Sequence, residues 1–158
     1  MIAEYEADKL CAELVISNIV YACISEDTDL FVYGCPRILR YLNLFNEVCI
    51  LYDLKLILKK LKLDLKTFKK ICILSGCDYK ESSIQIFKLY NIYLKYIKKE
   101  RDICFMDWIN KWGDDYQIET PVLNMFTCQK LEKISMTNKQ IDKAALVEIL
   151  KKDNFIFV

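Results

Sequence analysis

Apolar and polar residues follow one another along the chain in patterns that predict one helix and then short strands. Over residues 6–17 the apolar side chains recur at helical spacing, which predicts an amphipathic helix that ends at Asn18 in a left-handed conformation. Residues 19–25 are a nearly unbroken apolar run of β-formers, typical of a strand that is buried on both faces. Residues 30–33 predict a helical turn, 37–43 a strand, and 48–52 a second buried strand.

The rest of the chain has the periodicity of helices. Asp53 and Asp64 stand where N-cap residues would begin helices over 54–62 and 65–75, and Gly76 follows the second. Further helices are predicted over roughly 84–99 with Ser82 or Ser83 as cap, over 106–112, and over 141–152 with Asn138 as cap. A helix, strands and then helices predict an α/β core followed by a helical region.

Composition places the chain among folded proteins with one ordinary domain. It has 158 residues, of which 54% are hydrophobic, and this excludes a disordered chain. The net charge of +1 conceals an uneven distribution, because residues 1–54 carry −6, residues 55–101 carry +9 and residues 102–158 carry −2. An acidic segment before a basic one is expected of a metal–carboxylate centre beside a track for a polyanion. The alternative is a helix pair with a solvated lysine face.

Several classes of site are excluded by the residue types. The chain has no histidine, so a Ser-His-Asp triad and a histidine-ligated zinc site are both excluded. Its eight cysteines are widely spaced without a CxxC pair, which predicts reduced, mostly buried thiols. No apolar run approaches the roughly 18 residues that span a membrane, and the N-terminus does not have the regions of a signal peptide. We therefore expect an intracellular protein that does not bind a membrane.

Five carboxylates attract attention by their placement. They are Glu6 and Asp8 at the start of the first helix, Asp27 and Asp29 just after the first strand, and Asp78 after a later apolar segment. In open α/β sheets, ligands bind outside the carboxyl ends of the strands. Oxygen ligands without histidine suit a hard cation such as Mg²⁺ or Mn²⁺. Two such ions about 4 Å apart activate water and stabilise the leaving oxygen in phosphodiester hydrolysis.

Each of these motifs also has a structural explanation. Acidic residues at a helix N-terminus interact favourably with the helix dipole. An Asp-Thr-Asp sequence is common in solvated turns, and Gly-Cys-Asp-Tyr can end a helix without any further role. The order in which the motifs occur together is what favours a functional site.

Four stretches of the sequence resemble a known family. They are Tyr5-Glu6-Ala7-Asp8, Ser25-Glu26-Asp27-Thr28-Asp29-Leu30, Tyr33-Gly34-Cys35 and Cys72-Ile73-Leu74-Ser75-Gly76-Cys77-Asp78-Tyr79. In residue type, order and separation they are similar to the internal motifs of the flap endonuclease/XPG nucleases, and they look most like the exonuclease-one branch. A weaker resemblance continues through residues 122–126 and 145–155.

The resemblance implies a fold, a chemistry and a substrate. The expected fold is α/β, a partial PIN-like (Rossmann-like), mostly parallel sheet with flanking helices over residues 1–79. A degenerate helix–two-turn–helix-like region follows over 80–158. The implied activity is Mg²⁺-dependent hydrolysis of DNA near 5′ ends, flaps, nicks or gaps in repair or replication, in the nucleus or at a viral replication site. In such nucleases the residues matching Glu6 and Asp8 help to hold one metal ion, and those matching Asp27, Asp29 and Asp78 help to hold the other.

The sequence departs from the family pattern in two places. Nothing in it matches the family's N-terminal region, which supplies two further metal-ligand aspartates and the first strands of the sheet. We therefore expect an incomplete centre that needs an N-terminal half, from a longer product or from a separate chain, and an apolar sheet edge and face left without cover.

The second departure concerns the DNA-binding helices. The family has a Gly-x-Gly turn after its last aspartate, and here Gln85 and Phe87 occupy those positions. Ser82 and Ser83 remain candidates for contacts with phosphate, and Lys80 and Lys88 for nonspecific attraction to DNA. Tyr90, Tyr93 and Tyr96 recur every three residues, which favours packing over base stacking.

Two functions remain open from the sequence. In the first, the chain is part of a metal-dependent 5′ nuclease that is incomplete without an N-terminal half. In the second, it is a non-catalytic relative that binds DNA or a partner through the basic segment 55–101. A third hypothesis is that the chain is an unproductive gene remnant, which the intact acidic motifs disfavour.

Overall fold

The fold comprises three strands and eight α-helices in the described part of the chain. The computed structural model describes residues 3, 6–99, 103–132 and 142–152. In chain order the elements are α1 (Ala7–Ile16), β1 (Cys23–Ile24), α2 (Asp29–Tyr33), β2 (Arg37–Asn43), β3 (Val48–Asp53), α3 (Leu54–Leu61), α4 (Leu65–Leu74), α5 (Ile86–Ile97), α6 (Phe105–Ile109), α7 (Thr120–Met125) and α8 (Lys143–Lys152). Two short 3₁₀ turns, Asn110–Trp112 and Asp114–Tyr116, lie between α6 and α7.

Local capping residues determine several of these boundaries, as the sequence predicts. Asp53 accepts a hydrogen bond from the Leu56 N–H at 3.0 Å and begins α3, and Asp64 begins α4 in the same way. Gly34 ends α2 with a φ of 88°, a conformation that costs glycine little. Asn18 follows α1 with a φ of 54°.

The sheet has the order β1-β2-β3. β1 pairs in parallel with β2 through Cys23–Ile38 and Ile24–Leu39, and β2 pairs antiparallel with β3 as a hairpin. The expected α/β fold is confirmed, although only one of the two described pairings is parallel. The predicted strand over 19–25 is reduced to two residues. Pro36, just before β2, offers no N–H to extend the pairing, and the Arg37 guanidinium donates to the Tyr21 carbonyl at 2.5 Å instead.

Two hydrophobic clusters form the core. The first joins α1, α2, β2 and α4. The second joins α4, α5 and α6, and the side chain of Ile118 packs against both clusters. Phe126, from the end of α7, is 1% exposed and belongs to the first cluster. Chain segments far apart in sequence therefore share one core.

Hydrogen bonds from buried and partly buried side chains connect the end of α7 and the segment after it to the α/β part. The carboxylate of Glu13, which is 8% exposed, accepts a hydrogen bond from the Gln129 N–H at 2.9 Å. The ammonium of Lys69 donates to the carbonyls of Tyr33 at 3.1 Å and Phe126 at 2.9 Å. Because burial lowers the pKa of Lys69, these two acceptors compensate part of its desolvation.

Apolar side chains on both faces of the sheet and at the tip of its hairpin are exposed, contrary to the predicted burial of the strands over 19–25 and 48–52 but in agreement with the expected apolar surface left without cover. Ile24 is 60% exposed, Val48 is 55% exposed, and Phe45 at the tip is fully exposed. No described element covers these side chains. The apolar pattern of the two strands is thus correctly recognised, and the described residues do not bury it.

The helical region matches its prediction in outline and differs in detail. α5 begins at Ile86 with Gln85 as its N-cap. Ser82 does not cap the helix, since its hydroxyl donates to the Leu74 carbonyl at 2.6 Å and accepts from the Ile84 N–H at 3.1 Å. The predicted helix over 106–112 divides into α6 and a 3₁₀ turn. The predicted cap Asn138 lies outside the described residues.

The tyrosines of α5 pack as expected. Tyr93 is buried and Tyr90 and Tyr96 pack against the second cluster. Tyr90 and Tyr93 donate from their hydroxyls to the carbonyls of Leu61 at 3.2 Å and Lys62 at 2.7 Å. These bonds fix the turn between α3 and α4. None of the described helices is long and apolar enough to cross a lipid bilayer.

We expect Phe126→Ala to lower the free energy of unfolding by about 3–5 kcal/mol, because it leaves a cavity in the first cluster. Urea unfolding followed by circular dichroism measures this loss. Phe45→Ala is the matched control, since the ring of Phe45 is fully exposed and its removal takes no packing from the core. Equal losses in the two variants would contradict the placement of Phe126 in the core.

Candidate active site

Five carboxylates come from the ends of neighbouring elements. Glu6 is the N-cap of α1 and Asp8 lies in its first turn. Asp29 is the first residue of α2, with Asp27 in the loop before it, and Asp78 follows α4. Since α1 packs against α2 and α2 packs against α4, three separate stretches of sequence bring their acidic residues to one end of the molecule.

The loop from Ser25 to Asp29 has a fixed shape. The Ser25 hydroxyl accepts a hydrogen bond from the Asp27 N–H at 3.0 Å, and Asp27 Oδ1 accepts one from the Asp29 N–H at 2.8 Å. These bonds turn the backbone so that both aspartates follow β1 at the same end. The two side chains of an Asp-x-Asp motif can share a site when the backbone turns within the motif, and this loop provides such a turn.

An arginine on β2 attaches this loop to the sheet. Arg40 Nε lies 3.3 Å from Glu26 Oε2, and Arg40 Nη2 donates to the Glu26 carbonyl at 2.9 Å. The other carboxylate oxygen of Glu26 accepts from the Tyr41 N–H. Glu26 is therefore committed to holding the loop, whereas its neighbour Asp27 remains at the site.

Tyr79 connects the third carboxylate segment with the first. Asp78 lies in a tight turn that the Cys77 and Lys80 backbones close with two hydrogen bonds of 3.0 Å each. The Tyr79 hydroxyl donates to Glu6 Oε1 at 2.9 Å, which is the main reason that the pKa of Tyr79 is raised. Its ring stands edge-on to Phe126, with centroids 5.8 Å apart. The core thus positions a side chain that holds Glu6.

The pKa directions of two of the carboxyls agree with this placement. Burial raises the pKa of Asp8, and the charges of Asp27 and Glu6 raise it further. Burial likewise raises the pKa of Asp29, with additional contributions from Asp27, Asp78 and Asp8. All five carboxylates appear in these two sets of interactions. Negative charge is therefore concentrated at this end of the molecule.

A cleft of about 240 Å³ opens beside Asp29, between α2 and the end of α4, and the start of α5 contributes Ile86 to its wall. Cys72 also lines the cleft. Burial raises the pKa of the Cys72 thiol to about 12, and the charge of Asp29 contributes. A thiol with so high a pKa stays protonated at neutral pH, so Cys72 is no nucleophile here.

Comparison with known proteins indicates the family to which this chain belongs. The XPG I-region family model matches residues 1–78. Flap endonuclease 1-A of Oryza sativa subsp. japonica is 33% identical over an alignment of 163 positions that covers 96% of this chain and 42% of that protein. Flap endonuclease 1 of Saccharomyces cerevisiae is 41% identical over 85 residues, or 52% of this chain and 22% of that protein. The chain belongs to the flap endonuclease/XPG family.

Solved structures agree with the family in fold. Flap endonuclease-1 from Methanococcus jannaschii has a TM-score of 0.71 at 24% identity, covering 97% of this chain and 47% of that one. Human GEN1 in complex with Holliday junction DNA has a TM-score of 0.72 at 22% identity, covering 97% of this chain and 44% of that one. The chain thus spans less than half the length of these relatives.

The carboxylates suit a divalent metal ion in donor type but not yet in arrangement. Carboxylate oxygens are the ligands that Mg²⁺ prefers. Among residues 3, 6–99, 103–132 and 142–152, however, no three His, Cys, Asp or Glu side chains are arranged so that they would hold a metal ion. A bound ion would need oxygen ligands beyond those that the described residues bring together.

The segment expected to contact DNA lies directly after the turn that contains Asp78. Lys80, Ser82 and Ser83 line an open depression of about 380 Å³ that also includes Asp115. The Ser82 hydroxyl is already bonded to the backbone, whereas Ser83 is exposed. Lys88 is exposed in the first turn of α5. A role for these four residues in binding DNA stays a prediction.

Sequence reasoning missed the residues that position the carboxylates. Glu26 and Arg40 form an ion pair across 14 positions, and Tyr79 reaches Glu6 across 73. Tyr79 was detectable, because it stands beside Asp78 in the motif that carries the resemblance. No pattern along the chain links Arg40 with Glu26, and their pairing depends on the parallel register of β1 with β2.

We expect Asp27→Asn to lower the pKa of Asp8 and Asp29 in the metal-free chain, because it removes a charge that repels both. In the folded chain the pKa of each of these two carboxyls is higher than its ordinary value of 3.8. The fold therefore loses stability as the pH rises from 3.8 through the higher folded pKa, and regains it on acidification. The variant should gain roughly 0.5 kcal/mol near neutral pH after solvent screening.

Carboxyl NMR titration and urea unfolding measure the two effects. Asp114→Asn is the matched control. The asparagine keeps the Oδ1 atom that accepts from Gln117, and the charge of Asp114 is not among those that raise the two pKa values. An unchanged Asp29 titration in Asp27→Asn would disprove the repulsion.

We expect Tyr79→Phe to shift the carboxyl ¹³C resonance of Glu6, since it removes the hydroxyl that donates to that carboxylate. Tyr93→Phe serves as control, because it deletes a hydroxyl bonded to the Lys62 carbonyl and should leave the Glu6 resonance in place. If the Glu6 resonance were identical in wild type and Tyr79→Phe, the bond would not exist in solution.

Proposed function

We propose that this chain supplies the acidic half of a metal-dependent 5′ nuclease, of the flap endonuclease or 5′–3′ exonuclease type, that hydrolyses DNA phosphodiesters in repair or replication. The observation that carries the proposal is the convergence of five carboxylates from three segments, seen in the repulsion that Asp8 and Asp29 experience. Bringing like charges together costs free energy, and cations bound at that point by a nuclease would offset this cost.

In the proposed enzyme, Mg²⁺ ions, or Mn²⁺ in their place, would activate water and stabilise the leaving oxygen when bound. Glu6 and Asp8 would hold one ion, and Asp27, Asp29 and Asp78 the other. The chain itself contributes the orientation of these ligands. The Ser25–Asp29 loop sets the direction of two aspartates, and Tyr79 restrains Glu6.

The complete centre would require the family's N-terminal region, supplied within a longer polypeptide or by a separate chain. Two observations support this. No three of the described donors form a metal site, and the sheet presents an uncovered apolar surface at Tyr21, Ile24 and Leu51, which are 68%, 60% and 47% exposed. An apolar surface of this kind marks an interaction site, and β1 has no described partner on its second edge.

The proposed substrate is DNA with a 5′ flap, a gap or a nick. Support comes from the basic segment that follows the acidic one, and from family relatives whose names state flap endonuclease activity. Lys80, Ser83 and Lys88 would contact phosphates beside the site. Such a nuclease would act in the nucleus, or at a viral replication site if a virus encodes it.

A second function is favoured by the incomplete set of metal donors. The chain would then bind DNA, or a partner, without cutting it. In that case its affinity for DNA would fall steeply with salt because it depends on phosphate contacts, and no divalent ion would produce cleavage.

Reconstitution with a family N-terminal region, supplied as a second polypeptide, tests the proposal. We expect the mixture to cut a 5′-flap DNA in Mg²⁺ and to be inactive in EDTA. Asp27→Asn with Asp29→Asn should reduce the rate at least about 100-fold, since charged groups at such sites contribute several kcal/mol. Gel analysis of end-labelled DNA measures the cleavage.

Asp142→Asn with Glu148→Gln is the matched control, with the same loss of charge at exposed positions at the start of α8 and on it. Full activity in this control and none in the site variant would support the proposal. Cleavage that survives the site variant would come from another nuclease. DNA binding without cleavage in the reconstituted mixture would favour the second function.

A further inference from the structure

Five exposed lysines form a dense positive cluster on α3, its C-cap and the first turn of α4. This lysine cluster consists of Lys55, Lys59, Lys60, Lys62 and Lys66. The acidic residue among them, Asp64, is committed to the Thr67 N–H and hydroxyl at 2.9 and 2.6 Å. Within the described ranges, the ion pair present joins Arg40 to Glu26, so none of these lysines is neutralised by a partner there.

The lysine cluster sits on a rigid support. The Tyr90 and Tyr93 hydroxyls bond to the Leu61 and Lys62 carbonyls, and Leu63, which follows, is buried. Lys69, by contrast, is turned inward to bond Tyr33 and Phe126. The lysines that remain outside are thus held on fixed backbone, and binding a ligand would require less ordering than in a free loop.

The position of the lysine cluster relates it to the carboxylates. α4 runs from Leu65 beside Gly34, at the end of α2, to the Gly76–Cys77 stretch that lines the cleft with Asp29. Ten helical residues rise about 15 Å. Lys66, in the first turn of α4, and the carboxylates therefore lie at opposite ends of the α2–α4 pair, a separation of about four base pairs along a duplex at 3.4 Å each.

We propose that the lysine cluster, whose α4 end lies about 15 Å from the carboxylate site, is a second contact surface for the phosphate backbone of duplex DNA. The choice of DNA rests on the proposed function. A lipid surface fits less well, because a membrane-binding amphipathic helix inserts its apolar face, and here Leu54, Leu58 and Leu61 pack inward. Lysines that contact phosphates release counterions and bind without regard to base sequence.

The test is binding of the full chain to a short fluorescein-labelled blunt DNA duplex, measured by anisotropy in EDTA between about 50 and 200 mM KCl. Lys55→Gln/Lys59→Gln/Lys60→Gln should weaken binding about tenfold or more. It should also lower the slope of log K against log salt by about 2–3, since each lost phosphate contact removes about 0.9. Circular dichroism of each variant confirms that the helices are retained.

Lys143→Gln/Lys151→Gln/Lys152→Gln on α8 is the matched control, with the same change in net charge at exposed positions. Unchanged binding in the control, together with the loss in the α3 variant, supports the proposal. Equal losses in both variants, no binding by wild type, or displacement of the duplex by anionic phosphatidylserine vesicles at equal charge would overturn it. Because EDTA prevents metal-dependent cleavage, the result does not depend on whether the reconstituted nuclease is active.

Discussion

Repulsion among five carboxylates is the constraint that the rest of the structure satisfies. Asp8, Asp27 and Asp29 approach closely enough to raise the pKa values of two of their number, and the described residues place no lysine or arginine in an ion pair with any of the five. Such an arrangement is unfavourable on its own. It persists because each carboxylate is attached to an element whose position other interactions determine.

Those interactions lie mostly in the first hydrophobic cluster. Phe126 contacts both Tyr33 and Tyr79, at ring distances of 5.1 and 5.8 Å, and Tyr79 in turn restrains Glu6. The Lys69 ammonium bonds the carbonyls of Tyr33 and Phe126. Packing of the chain after α7 against α2 and α4 therefore supports the site, although that segment contributes no carboxylate to it.

The sequence predicts the features that depend on near neighbours. The caps Asp53 and Asp64, the left-handed Asn18 and the strands near 37–43 and 48–52 are correct, because turn chemistry and local patterns act within a few residues. The carboxylate set rests on motif order and resemblance, and its role stays a prediction. What failed depends on distant contacts. β1 is shorter because of Pro36 and Arg37, and Ser82 turns to Leu74 instead of capping α5. The roles of Glu13 and Tyr79 join residues more than 70 positions apart.

The exposure of β1 and β3, which the sequence predicts to be buried, is itself informative. An apolar strand pattern reports the environment that a sequence was selected for, and β1 and β3 carry the pattern of a strand covered on both faces. In the structure Ile24, Val48 and Leu51 remain exposed. The same described residues fall short of three metal donors at the carboxylate site. The chain spans less than half the length of the relatives it matches, so the uncovered strands and the small number of metal donors are the two observations from which the need for an N-terminal half is inferred.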